Sequence, residues 1–274
     1  KKIPSSQKAL LRLLFVNILR MFTNLLINDP FTLLIIIMIG FIAGIVKGIV
    51  GFALPMILIT GLGIFIPIEQ ALASLILPTI ITNFIQSFTI SKSSFFNTII
   101  NYKVFLFFSS IFLILSSQFY LLFSAESIMG FIGIILFAYT FSQILGFQLK
   151  FTNNDFLTVI IGSINGVLGG ISGIWGPLTV SYLMSLKIEK NEQIKVQGIM
   201  YSLGSILLLI GHLYSGIFNK YTFSLSIALV PLCIAGLFIG SIIRNKIKQN
   251  TFKNFTLIMI LIASINLIKK AFLD

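Results

Sequence analysis

Lys47 is the residue in this chain best placed to do chemistry. It stands inside the apolar run GFIAGIVKGIVGFALP, residues 40–55, far from any other charge in that run. A lysine within a hydrophobic span costs on the order of 3 kcal/mol on insertion scales and by default marks a functional site. The bland alternative, snorkelling of the ammonium to an interface, is harder from the middle of the run. Immediately beyond it, Gly48-x-x-Gly51-x-x-x-Pro55 removes side chains and places a proline that cannot donate an intrahelical hydrogen bond. The same arrangement recurs in GSINGVLGGISGIWGP, residues 162–177, with Gly170, Gly173 and Pro177. Both segments are expected to unwind near the middle of a bilayer. Unwound backbone survives there only if it is buried in protein or lines a wet cavity. A half-helix restarting after such a break presents free N–H groups and the positive end of its dipole, which suits an anion. Paired breaks at matching places in two repeats are the strongest sequence pointer to a carrier's binding site. The candidate substrate-binding residues are therefore Lys47, Gly48, Gly51 and Pro55, with Asn165, Gly170, Ser172, Gly173, Trp175, Gly176 and Pro177 from the second copy.

Several of these residues have a second reading. Glycines four apart, as in Gly40, Gly44 and Gly48, also allow close helix packing in lipid. The Asn165 amide can hold an oxyanion or tie helices together, and Trp175 can wall a cavity or face lipid. Ser172 is placed to donate to an oxyanion. Thr82, Asn83 and Gln86, with Gln197, Tyr201 and Ser205 in the second repeat, read mainly as packing hydrogen bonds. Glu69 and Glu192 begin helices, where a carboxylate suits the dipole. Metal or triad chemistry is not assembled by one histidine (His212), one cysteine (Cys233) and no acidic pair within the apolar runs, so neither an enzyme nor a cofactor is expected.

The elements that must position these residues are membrane helices. The 274 residues are 57% hydrophobic and only 9% charged, where a soluble domain carries roughly a quarter charged residues. The apolar stretches have bilayer-spanning length, ~20 residues of helix for ~30 Å of hydrocarbon. They lack the short apolar–polar alternation of a transmembrane barrel. The net charge of +12 does not indicate nucleic acid, because the lysines and arginines sit in short clusters between the runs, as orientation determinants do. Residues 9–28 carry Arg12 and Arg20 and form a weak span or an interfacial helix. With no small-residue cleavage site after them, a signal peptide is not expected.

An internal repeat organises the rest. An offset of 122 lays Gly40, Gly44, Gly48, Gly51 and Pro55 onto Gly162, Gly166, Gly170, Gly173 and Pro177. The expected organisation is an N-terminal basic, amphipathic or weakly spanning segment over 1–30, repeat one over 31–147, a loop over 148–155 and repeat two over 156–274. Spans are expected at about 71–90, 104–123 and 128–147, then at about 196–214, 223–242 and 254–270. If each broken segment crosses once, the repeats are parallel; if each is a re-entrant hairpin, they are inverted. After residue 30 and without Lys47, inversion puts ten basic residues on one side and only Lys220, Lys269 and Lys270 on the other. The parallel arrangement splits them six to seven. The positive-inside bias favours inversion. The fold class is thus an all-α integral membrane protein of two inverted four-segment repeats, each opening with a Gly/Pro-broken helix.

The paired glycine motifs resemble the twin signatures of the TauE/SafE, or sulfite exporter, family, as does the turn Ile68-Glu69-Gln70-Ala71-Leu72-Ala73-Ser74. The resemblance covers about residues 31–270. Repeat two, with Gly173-Ile174-Trp175-Gly176-Pro177, lies closer to the family pattern than repeat one, where Lys47 stands in place of a small residue. The resemblance implies a secondary transporter exporting sulfite or an organosulfonate across the bacterial cytoplasmic membrane. A channel, or a carrier of another small organic anion such as a carboxylate, is the alternative. The expected partners are the small anion and the lipid bilayer, and a homo-oligomer is left open.

Overall fold

The computed structural model describes residues 30–88, 92–118, 125–145, 154–172, 175–214 and 218–272. The N-terminal segment anticipated over 9–28 lies outside the described residues, as do residues 148–153 of the loop expected over 148–155; Asp155 already opens a helix. Repeat one consists of α1 (Pro30–Val50), α2 (Leu54–Leu62), α3 (Ile68–Ser74), α4 (Ile76–Phe88), α5 (Lys92–Asn101), α6 (Lys103–Gln118) and α7 (Ala125–Ile144). Repeat two consists of α8 (Asp155–Ser172), α9 (Gly176–Ser185), α10 (Lys190–Tyr214), α11 (Lys220–Lys246) and α12 (Gln249–Phe272). Among the described residues, four helices are each long and apolar enough to cross a membrane: Pro30–Val50, Lys190–Gly211, Thr222–Lys246 and Gln249–Phe272. The pair Phe95–Asn101 and Lys103–Ser116, bent by 76°, passes the same test of length and composition only when its two helices are counted as one span.

Helix α5 is a departure from the sequence expectation, which placed a connection there. Its Phe96 and Ile100 are exposed, as is Asn97, and it turns sharply into α6. That amphipathic composition suits a helix lying along an interface. The long helices instead carry exposed apolar stripes at helical spacing: Phe31, Leu34, Met38 and Ile42 on α1, and Phe255, Ile258, Ile262 and Ile265 on α12. Outward-facing stripes of this kind are lipid-facing surface in a chain of such composition.

Both broken segments fold back as hairpins. Gly61 of α2 packs on the Ile39 side chain of α1, so α2 runs antiparallel to α1 and returns about 15 Å from the break. In the second repeat the Tyr182 hydroxyl of α9 lies 3.4 Å from Thr158 Oγ1 near the start of α8. Helix α1 has 21 residues, about 31 Å, so the break follows a full-length helix where the sequence suggested one divided near its middle. Close packing keeps α1 helical to its end. A Cβ on Gly44 would lie 2.3 Å from the Cys233 carbonyl oxygen, and one on Gly240 would lie 2.1 Å from that of Ile45. The glycine stripes therefore act as packing surfaces.

The two repeats exchange partners. Helix α1 packs most extensively on α11, and its counterpart α8 on α6. The equivalent helices α7 and α12 pack on each other and run antiparallel, with Gly130 against Ala271 and Gly133 against Ile268. The equivalent pair α4 and α10 is likewise antiparallel: Gly198 faces Gln86 and Ser87, while Asn83 reaches Tyr201 and Ser205. The larger apolar core lies where the hairpins meet, around Phe52, Trp175, Tyr201 and Leu113.

Candidate functional site

Each hairpin must restart a helix immediately after its break, and the two restarts face one small cavity. Helix α2 begins beyond Ala53 with Pro55 in its first turn, and α9 begins at Gly176 with Pro177. Proline suits this position, because its missing N–H is one that a first turn leaves unbonded anyway. The cavity is lined by Phe52, Ala53, Pro55 and Met56 from one restart and by Trp175, Gly176 and Pro177 from the other. Lys47, Thr79, Asn83 and Tyr201 complete it. The two breaks are in contact, since a Cβ on Gly176 would sit 3.2 Å from Phe52. The cavity has a volume of about 20 Å³, room for a single water-sized group.

Lys47 is fully buried and points into this junction. Its ammonium donates to Asn83 Oδ1 at 2.5 Å and lies 5.8 Å from the Tyr201 ring centroid, within cation–π range. No carboxylate pairs with it among the described residues; an ion pair elsewhere joins Lys195 to Glu192 at 3.7 Å. Burial of an ammonium without a counter-ion costs several kcal/mol even after relaxation. An anion entering the cavity would supply the missing charge. Asn83 is held for its role by donating to the Tyr201 carbonyl at 2.9 Å and Ser205 Oγ at 3.4 Å. Tyr201 in turn donates its hydroxyl to the Gly176 carbonyl at 3.1 Å, which ties α10 to the second restart.

The first break is closed by side chains from repeat two. Gly51 adopts φ +88°, a conformation natural to glycine. With the amide orientation that satisfies its neighbours, Gln197 donates to the carbonyls of Val50 and Gly51, each at 3.2 Å, and accepts from Gln193 Nε2 at 3.1 Å. Arg244 donates to the freed Gly48 carbonyl at 2.8 Å. The orphaned carbonyls at the end of α1 are thus satisfied from α10 and α11.

Of the residues anticipated from sequence, Lys47, Pro55, Trp175, Gly176 and Pro177 come together around the cavity. Gly51 shapes the break, and Gly48 contributes close packing on Leu237 together with the carbonyl that Arg244 takes. Gly170 is buried near the end of α8. Ser172 ends α8, and Gly173 lies outside the described residues. Trp175 is buried, a cavity wall rather than a lipid contact. Asn165 does not reach the Lys47 cavity. Its amide donates to Ser109 Oγ at 3.0 Å and accepts from Thr179 Oγ1 at 2.9 Å, so it ties α8 to α6 and α9 beside a second small cavity behind Trp175.

Thr79 went unnoticed in the sequence. Its hydroxyl is buried at the cavity wall with no hydrogen-bond partner among the described residues. The repeat offset held a usable signal: 122 positions relate Thr79 to Tyr201 and Asn83 to Ser205, so the residues nearest Lys47 come from equivalent places in the two halves. Arg244 was read only as a flanking charge.

Comparison with protein families matches residues 36–267 to the sulfite exporter TauE/SafE model. Neither the curated proteins nor the solved structures return a match.

Proposed function

The chain belongs to the sulfite exporter TauE/SafE family, a family of membrane transporters, and from that premise we propose that it exports a small sulfur oxyanion, sulfite or an organosulfonate, across the bacterial cytoplasmic membrane. The observation carrying this reading is the buried Lys47 ammonium, with no counter-ion among the described residues, at the junction of two helix restarts. One cationic side chain and two first turns with N–H groups to spare make a site for a compact anion. The apolar walls of Phe52, Met56 and Trp175 exclude water and strengthen those interactions.

The proposed topology is inverted, with the repeats related by an axis in the membrane plane. Supporting it are the antiparallel packing of the equivalent pairs α7–α12 and α4–α10, the hairpin form of both breaks, and the bias of basic residues to one side. Alternating access then comes from rocking one hairpin with its partner helices against the other. The cavity as it stands is smaller than any sulfur oxyanion, so substrate entry separates Phe52 from Trp175 and Gly176. An interior-negative potential drives the anion outward.

The test is flux into proteoliposomes with sulfite, sulfoacetate, sulfate, acetate and chloride, comparing wild type with Lys47→Gln. Saturable, counterflow-competent flux of a sulfur oxyanion is expected. Removing a charge-assisted bond worth about 2–3 kcal/mol should weaken apparent affinity roughly 30- to 150-fold. Wild-type behaviour of the variant would remove Lys47 from the site, and unsaturable conductance would make the protein a channel.

A further inference from the structure

A larger cavity, of about 300 Å³, opens among the end of α9, the first turns of α10 and α12, and Gln143 near the end of α7. Its volume falls in the range of small-ligand sites, whereas the Lys47 cavity admits about one water. Lys187 and Lys253 line it and no acidic residue does. Neither lysine is in an ion pair among the described residues. The nearby Lys190, by contrast, is committed: its ammonium donates to the carbonyls of Arg244 and Ile247 and so caps α11. Lys187 holds φ +56°, a left-handed conformation that side-chain-bearing residues rarely adopt. A basic residue kept at a position suited to glycine, on a cavity wall, suggests a use for its charge.

The cavity also connects to the proposed substrate site. Gln193 is buried on its wall and donates to Gln197, which holds the Val50 and Gly51 carbonyls at the first break. A relay of two amides thus links the wall of the basic cavity to the end of the broken helix carrying Lys47. The surrounding segment holds Lys187, Lys190, Lys195, Arg244, Lys246, Lys248 and Lys253, which the positive-inside rule assigns to the cytoplasm.

We propose that this cavity is a cytoplasmic capture site for small oxyanions, in which Lys187 and Lys253 concentrate the anion before it passes the Gln193–Gln197 pair. The inference rests on the transporter reading for its purpose, but its test does not require transport. Ser185, on the cavity wall, is replaced by cysteine in a Cys233→Ala background, and inside-out membrane vesicles are treated with an anionic or a cationic methanethiosulfonate. The anionic reagent should react about tenfold faster, a focusing effect that salt screens. Sulfate should slow the reaction. Lys187→Gln with Lys253→Gln should abolish both effects, and Lys187→Arg with Lys253→Arg should keep them, which separates loss of charge from misfolding. Equal rates for the two reagents, indifference to sulfate, or labelling only in right-side-out vesicles would overturn the proposal. A preserved reagent preference with no sulfur oxyanion flux would instead count against the transport reading and leave the capture site standing.

Discussion

Gly51→Ala tests whether the first break is built as described. Gly51 lies at φ +88°, where a Cβ costs about 1–2 kcal/mol through contact with the neighbouring carbonyl. That Cβ would also sit 1.8 Å from a terminal amide atom of Gln197 and 2.5 Å from Ile194 Cδ1. The isoleucine tip can rotate away. The Gln197 amide cannot move without releasing the Val50 and Gly51 carbonyls, two hydrogen bonds worth about 1 kcal/mol each. The substitution should therefore cost about 3–4 kcal/mol in wild type. In a Gln197→Ala background the amide is already gone, and only the backbone part, about 1–2 kcal/mol, should remain. The coupling energy is the difference, about 2 kcal/mol. It is measured by SDS titration of the four purified variants in mixed micelles, following the folded fraction. A Gly51→Ala cost that agrees within about 0.5 kcal/mol in both backgrounds would refute the role of Gln197 in closing the break.

Thr79→Val removes a buried hydroxyl with no partner, so the protein should be as stable or up to about 2 kcal/mol more stable, while the apparent KM for sulfite rises several-fold. An unchanged KM would show that the hydroxyl does not face substrate. Gly240→Leu forces a side chain against the Ile45 carbonyl and Gly48 Cα, at 2.1 and 2.8 Å from its Cβ, and should destabilise by at least about 3 kcal/mol. Thermal unfolding in detergent checks this against Ile243→Ala on a more exposed face of the same helix, which should change little.

The sequence by itself determined the membrane class, the repeat and the two breaks. These depend on local properties: long apolar runs, glycine spacing, and a proline that brings no backbone N–H where glycines have already loosened the helix. The contacts of Gly44 with Cys233 and of Gly240 with Ile45 show that the glycine stripes had a packing role as well. Lys47 was legible because a lone cation in an apolar run is anomalous without any partner in view.

Only the tertiary structure decided what surrounds that cation. Asn83, Tyr201 and Thr79 are ordinary polar residues on amphipathic helices, and nothing in their own segments separates a tie between helices from a cavity wall. They meet Lys47 because equivalent helices of the two repeats pack antiparallel, a relation between positions more than a hundred residues apart. The same packing placed Asn165 behind Trp175, where its amide is engaged by Ser109 and Thr179. Sequence spacing reports which residues share a helix face. Which polar groups go unpaired in a common cavity depends on how faces from different helices are brought together, and that decision belongs to the fold.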